Sequence, residues 1–246
     1  MLVVGDSHAQ KLTYSFQSLL DHNQMGPERH YSEFQDQEFY VNEIGEHRRS
    51  LSSMHRAQNK DIDLIISSHP GKSALKFDFI NFGRGSQKYF SDQCNNKDTL
   101  ILPWFGYIDV KDWLPNKNAV GYKSSKEIAS SYINNVLKAY DKSRVIVVEP
   151  MPQFITYVSA RWFDFRGDKD FSFEERYEMH KELFYEMCEY SKKIGLEEPI
   201  SISSILGTDM INIDKQIKSP LSLRLNDHMS THEYEPILKY MIGYLK

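Results

Sequence analysis

The chain has 246 residues, of which 40% are apolar and 26% are charged, and its formal net charge at pH 7 is −4. This length suits one large domain or two small ones, and the composition is that of an ordinary globular protein. The negative charge argues against a nucleic-acid-binding protein, the lack of a long apolar stretch argues against a membrane span, and two cysteines are too few for a disulfide framework.

Short apolar runs predict the strands, which are residues 2–5, 63–67, 77–82, 99–105, 145–149 and 200–205. Most of these runs do not alternate between apolar and polar residues, which is typical of strands buried on both faces of a parallel sheet. The first run opens the chain, where a secretory leader would have a charged and then an apolar region, so we expect a cytoplasmic protein.

Helical patterns lie between the strands. The first follows Gly5-Asp6-Ser7-His8, a second covers residues 126–140, and a third ends at Gly195. A last one follows His228, and its expected buried stripe is Tyr234, Ile237, Leu238 and Met241. Because strands and helices alternate, we expect a single α/β/α domain over residues 1–246, with a mostly parallel sheet and helices on both faces.

One basic stretch, HRRSLSSMHR at residues 47–56, stands out from the negative background. We interpret it as the solvated face of a helix. The alternative is a rim that recognises anions over a cleft.

The first strand ends in Gly5-Asp6-Ser7-His8, and a helical pattern follows at once. In open α/β sheets, sites form at the carboxyl ends of the strands. The N–H groups and the positive dipole end of a helix start stabilise an oxyanion. Ser7 is therefore a candidate nucleophile, and we expect His8 at the rim of the cleft. A plainer interpretation is that Gly makes the turn and Asp caps the helix.

A nucleophilic serine needs a base, and His228 is the best placed of the nine histidines. It directly precedes the last helix, in RLNDHMSTHEYEPILKYMIGYLK, and a capped helix start would hold its loop in place. His232, one turn further on, is a weaker candidate. The alternative for His228 is an ordinary surface loop residue.

These two stretches resemble the first and last blocks of the SGNH, or GDSL-type, hydrolases and acyltransferases. Gly5-Asp6-Ser7 matches the Gly-Asp-Ser of the first block, and His228-Met229-Ser230, with Tyr234 beyond it, matches the last. The resemblance implies a flavodoxin-like three-layer α/β/α fold with a mostly parallel five-stranded sheet. It also implies that Ser7 is the nucleophile and His228 the base.

The second block of the family supplies a glycine whose N–H joins the oxyanion hole. In FDFINFGRGSQKYF, which includes the predicted strand 77–82, the candidate is Gly83, with Gly85 as the alternative. Arg84 stands beside it and is a candidate for binding a substrate carboxylate or phosphate. Its alternative role is an exposed surface arginine.

The third block usually has Gly-x-Asn-Asp, and Gly106-Tyr107-Ile108-Asp109 matches it at both ends. The sequence resembles a subgroup with Gly-x-Ile-Asp that is often found beside polysaccharide-building functions. By the resemblance, Asp109 lies near the oxyanion or the substrate. Ile108, however, has no donor for an oxyanion, and the loss of one such donor costs about 10²–10³ in rate.

The triad acid is the other departure from the family. Leu225 stands three residues before His228, where the family has Asp. Asp227 is the candidate acid, although consecutive side chains usually diverge, and a backbone carbonyl is the alternative partner of the imidazole. Loss of the acid in a triad costs on the order of 10⁴ in rate.

We therefore expect a serine esterase that acts on an acyl ester of a carbohydrate or small molecule through an acyl-Ser7 intermediate. One alternative is an O-acyltransferase that modifies a glycan by the same mechanism. Another is a non-catalytic glycan-binding domain with a decayed site. Ile108 and Leu225 favour it, because they stand where the family has Asn and Asp. A third is a flavodoxin-like protein that binds a phosphate at Gly5-Asp6-Ser7.

The expected partner is a small-molecule or glycan ester, with neither nucleic acid nor membrane. No metal site and no cofactor are expected, because the sequence has no metal-ligand spacing and no phosphate-binding glycine loop.

Overall fold

A computed structural model of the chain describes residues 1–15, 21–23, 39–41, 47–49, 53–58, 60–69, 72–79, 97–115, 117–118, 120–152, 173–207 and 234–244. Six of the candidate site residues lie outside these ranges, namely Gly83, Arg84, Gly85, Asp227, His228 and His232.

The described residues form strands β1 (Leu2–Gly5), β2 (Asp21–Asn23), β3 (Phe39–Val41), β4 (His47–Arg49), β5 (Ser53–Gln58), β6 (Asp63–Ser68) and β7 (Ile101–Trp104). One open sheet has the order β2-β5-β6-β1-β7. β3 and β4 pair with each other as an antiparallel ribbon. The predicted first strand, residues 2–5, is confirmed.

The main sheet is mixed. β1 is parallel to both of its neighbours, β6 and β7, whereas β5 is antiparallel to β6 and β2 is antiparallel to β5. The α/β class is confirmed, but the mostly parallel five-stranded sheet is wrong. The reason is the short connection between β5 and β6, residues 59–62, because so few residues can join only antiparallel neighbours.

The basic stretch that was interpreted as a helix face instead contributes β4 and β5. His55 and Ala57 of β5 are buried and Arg56 between them is partly exposed, which is the alternation of a half-buried strand. Arg56 makes two hydrogen bonds of 2.6 Å to the carboxylate of Asp63 on β6. This pair lies across two adjacent antiparallel strands.

Two further predicted strands are only partly formed. Isolated parallel bridges join Ile101 to Val145 and Val148 to Ile200, which continue the parallel side of the sheet. Residues 202–205 of the predicted strand 200–205 instead belong to a helix, Ile202–Leu206, which the side chain of Ser201 caps by accepting from the Ser204 N–H. Residues 77–79 of the predicted strand 77–82 form no strand.

The described helices are α1 (Ser7–Ser15), α2 (Ser125–Ala139), α3 (Phe173–Ile194), α4 (Ile202–Leu206) and α5 (Glu235–Gly243), with a π-helical turn at Asp109–Trp113 and a 3₁₀ turn at Lys142–Arg144. The predicted stripe of α5 and its N-cap is confirmed as buried, namely Tyr234, Ile237, Leu238 and Met241. None of the described helices is both long and apolar enough to cross a membrane.

Two apolar clusters lie on opposite faces of the sheet. Val3 packs with residues of α1 and α5 in one cluster, and Leu2 and Val4 pack with residues of α2 and α3 in the other. Successive residues of β1 alternate between the clusters because strand side chains alternate between the faces. Helices therefore cover both faces, which is consistent with a three-layer α/β fold.

Candidate active site

Ser7 lies just past the carboxyl end of β1, which has parallel neighbours on both sides. Gly5, the last residue of β1, pairs with Ser68 of β6 and with Trp104 of β7. Ser7 is the first residue of α1 and is partly exposed, whereas Asp6 is 2% exposed and His8 is fully buried. Ser7 therefore lies at the sheet edge where sites form in α/β proteins.

The two residues before Ser7 have structural roles. A Cβ on Gly5 would lie 2.6 Å from the Trp104 carbonyl oxygen and 2.7 Å from Cβ of Ala9, so only glycine fits. The Asp6 carboxylate accepts from the His8 N–H at 2.9 Å, which satisfies a donor that a helix start leaves without an intrahelical partner. Backbone requirements thus explain Gly and Asp of the motif.

The His8 ring lies between aromatic residues from two distant parts of the chain. Its Nδ1 is 2.8 Å from the Tyr234 hydroxyl oxygen, and its centroid is 4.3 Å from that of Tyr107, with the rings edge to face. Expected at the rim of the cleft, His8 is instead in the interior. Because Tyr234 is the N-cap of α5, the last helix starts beside the residue that follows Ser7.

The predicted base and acid, His228 and Asp227, lie outside the described residues. His228 is six residues before Tyr234 in the sequence, and Tyr234 contacts His8. Both roles stay predictions.

Asp109 is fully buried and holds a neighbouring loop. Its carboxylate accepts from the Ser73 hydroxyl at 2.6 Å, from the Ala74 N–H at 2.6 Å and from the Leu75 N–H at 3.4 Å. Burial raises the pKa of Asp109, and these hydrogen bonds only partly oppose that shift. The structure therefore gives Asp109 an anchoring role in the loop after β6, and its predicted role at the substrate stays a prediction.

The rest of the third block also has structural roles. Gly106 has φ of 117°, and a Cβ there would lie 2.6 Å from Cγ of Pro150. Ile108 is partly buried and packs on the apolar cluster that contains Val3. Gly106, which matches the Gly-x-Asn-Asp pattern, and Ile108, which stands in place of its Asn, thus both have packing roles.

The loop after β6 is also a candidate for the second block, because β6 lies beside β1 in the sheet. The His69 N–H, directly after β6, donates to the Gly5 carbonyl at 2.7 Å. By sequence, the first glycine after this strand is Gly71, in His69-Pro70-Gly71. Gly71 and Gly83 both lie outside the described residues. The turn signal after the apolar run 63–67 makes Gly71 a further candidate for the oxyanion-hole glycine, beside Gly83 and Gly85.

His69 is a poor candidate for the base. It is 4% exposed, and burial, aided by the charge of Lys72, lowers its pKa to about 3. Its Nε2 lies 2.9 Å from the Ser67 hydroxyl and its ring packs on Phe77. A histidine with this pKa stays neutral throughout the physiological range, so His69 fixes the chain beside Gly5 rather than exchanging protons.

A second buried polar cluster, which the sequence did not reveal, centres on Glu149. Its carboxylate is 2.8 Å from His180 Nε2 and accepts from the Ser201 and Ser203 hydroxyls at 2.9 and 2.7 Å and from the Ser203 N–H at 2.8 Å. Burial acts to raise the pKa of Glu149, but the hydrogen bonds and charge of His180 and the bonds from Ser203 outweigh it, so the pKa is lowered. The cluster ties α3 and α4 to the end of the 145–149 segment.

Among the residues that the structure describes, no group of three or more His, Cys, Asp or Glu side chains is arranged to hold a metal ion. No protein-family model matches the chain, and neither the curated proteins nor the solved structures that were searched gave a significant match.

Proposed function

We propose that the chain is an SGNH-type serine esterase on a three-layer α/β fold with a mixed sheet, acting on an acyl ester of a carbohydrate or another small molecule. The observation that carries the proposal is the placement of Ser7. It is partly exposed at the start of α1 and at the carboxyl end of β1, between two parallel strands. In this proposal Ser7 is the nucleophile, and Gly5 and Asp6 shape the turn that carries it.

In the proposed mechanism the Ser7 hydroxyl attacks the ester carbonyl while His228 accepts its proton. The N–H groups at the start of α1 and of a second-block glycine, Gly83 or Gly71, stabilise the oxyanion. As the intermediate collapses, His228 gives the proton to the leaving alcohol and acyl-Ser7 remains. Water then attacks with His228 as base, and the acid and free Ser7 are released.

The hydrogen bond between His8 and Tyr234 supports the pairing of Ser7 with His228, because it brings the helix that follows His228 next to Ser7's neighbour. Asp227 is the proposed partner of the other imidazole nitrogen. In an O-acyltransferase the same steps would run with a glycan hydroxyl in place of water.

A specific observation favours a second candidate, a glycan-binding domain without catalysis. Asp109 is committed to Ser73, Ala74 and Leu75, and Ile108 packs on an apolar cluster. An enzyme of this type would then lack the third-block donor, which is worth about 10²–10³ in rate. A slow esterase and an inactive binder are therefore the two outcomes to separate.

A fluorophosphonate probe separates them, since it labels an activated serine irreversibly. We expect the probe to label the wild-type chain at Ser7 and hydrolysis of p-nitrophenyl acetate above the buffer rate, with both lost in Ser7→Ala. Ser130→Ala is the matched control, because the Ser130 hydroxyl bonds to the Glu127 carbonyl within α2. Wild-type protein that neither takes up the probe nor exceeds the buffer rate would favour the binder.

A further inference from the structure

We propose that His8 is a positioning residue: its ring, held by Tyr234 and Tyr107, keeps the first turn of α1 and therefore Ser7 aligned for attack. This inference rests on the proposed esterase function. It concerns a residue that touches neither substrate nor reacting atoms, and it extends the mechanism to the aromatic residues that surround it.

Three chain segments meet at the His8 ring. They are the end of β1 with the start of α1, the residue after Gly106, and the N-cap of α5. All three rings are buried, since His8 and Tyr234 are fully inaccessible and Tyr107 is 2% exposed. The contacts are a hydrogen bond of 2.8 Å to Tyr234 and an edge-to-face approach of 4.3 Å to Tyr107.

The place of His8 in the helix explains why these contacts matter for Ser7. Ser7 and His8 are the first two residues of α1, and a first helical turn lacks intrahelical partners for its N–H groups. The Asp6 carboxylate holds the backbone N–H of His8, and Tyr234 holds its ring. Together they fix both the backbone and the rotation of the turn that carries Ser7.

Loss of the hydrogen bond between His8 and Tyr234 should therefore lower kcat more than it changes KM. A misplacement of about 1 Å can cost about 10²-fold in rate. Tyr234→Phe keeps the ring and removes the hydroxyl that meets His8 Nδ1. We expect it to lower kcat for p-nitrophenyl acetate about tenfold with KM within about twofold, the pattern of an interaction that acts in the transition state.

Tyr240→Phe is the matched control. It makes the same change on the same helix, at a side chain that is 46% exposed, and we expect wild-type kcat. Hydrogen–deuterium exchange supplies a readout that does not depend on activity. Backbone amides of residues 7–12 should exchange faster in Tyr234→Phe than in Tyr240→Phe.

A conservative pair at position 8 completes the test. His8→Asn keeps a polar atom near the place of Nδ1 and should retain more of kcat than His8→Leu, which cannot bond Tyr234. If Tyr234→Phe does not fold, this pair decides the question. Equal kcat in Asn and Leu, or wild-type kcat and exchange in Tyr234→Phe, would overturn the inference.

The two failures are distinguishable. If the probe labels the wild-type chain and Tyr234→Phe has the same kcat as wild type, only the positioning role is ruled out. A wild-type chain with neither labelling nor turnover removes the proposed function, and the positioning role falls with it.

Discussion

The imidazole of His8 and the hydroxyl of Tyr234 lie 2.8 Å apart although 226 residues separate them in the chain. One belongs to the first helix and the other caps the last, and both helices pack on the same face of the sheet. This contact joins the start of α1 to the N-cap of α5. It also places the end of β1, which has parallel neighbours on both sides, beside the start of α5.

Gly5→Ala should destabilise the fold. The new Cβ would meet the Trp104 carbonyl at 2.6 Å and Cβ of Ala9 at 2.7 Å, and neither can move away cheaply because both lie on or beside backbone. Overpacking of this kind costs about 1–3 kcal/mol. Urea denaturation followed by circular dichroism would measure the loss.

Gly243→Ala is the control for this change. It lies at the end of α5, where an added Cβ has no atom within 4 Å. Alanine is favoured over glycine in a helix by up to about 1 kcal/mol, so stability should stay the same or rise. A Gly5→Ala variant as stable as this control would show that the turn before Ser7 has room for a side chain.

Asp109→Asn should also lower stability. An amide has one acceptor oxygen and one NH₂ group, so it cannot accept from both the Ser73 hydroxyl and the Ala74 N–H as the carboxylate does. A buried donor left without its acceptor costs about 1–3 kcal/mol. Glu178→Gln, at an exposed side chain on α3, is the control. An unchanged denaturation midpoint would contradict the anchoring role of Asp109.

The sequence predicted the features that depend on local pattern. β1 and the buried stripe of Tyr234, Ile237 and Met241 followed from apolar spacing and are confirmed. The antiparallel half of the sheet could not be predicted in this way, because β5 carries polar and charged residues and its place is fixed by pairing with β6.

The candidate site shows the same division. The position of Ser7 at a strand end was predictable, since a Gly-Asp-Ser turn between a strand and a helix is a local signal. The burial of His8 was not, because it depends on Tyr107 and Tyr234, which meet it only in the folded chain. Asp109 matched a position of the family's third block. Its hydrogen bond from the Ser73 hydroxyl could not be predicted either, because it forms only in the folded chain.

Ile108→Asn tests whether the third block faces the reaction. In the proposed SGNH-type esterase, an amide at this position should supply an oxyanion donor that isoleucine lacks and raise kcat/KM for p-nitrophenyl acetate about tenfold or more. Ile205→Asn is the control, because Ile205 packs on the same apolar cluster as Ile108 but lies in α4. A similar loss of stability in both variants without any gain in rate would place Ile108 away from the oxyanion.

Glu149→Gln should reduce stability in a pH-dependent way. The carboxylate has four hydrogen-bonding contacts, from His180, Ser201 and Ser203, and its side chain is 2% exposed. Burial opposes ionisation, but the contacts from His180 and Ser203 prevail and hold the pKa of Glu149 below its ordinary value of 4.5. At pH 7 the free energy of unfolding of the variant should be lower than that of wild type by about 1–3 kcal/mol.

The direction with pH follows from proton binding by Glu149. Just below pH 4.5 the unfolded chain takes up a proton at this carboxyl while the folded chain does not, so the folded state loses its advantage as the pH falls. The gap in unfolding free energy between wild type and Glu149→Gln should therefore be full at pH 7 and shrink below about pH 4.5. Urea midpoints at both ends of this range measure it, with Glu178→Gln as the exposed control. A gap that stays constant, or widens in acid, would mean that the ionised carboxylate is not what joins α3 and α4 to the end of the 145–149 segment.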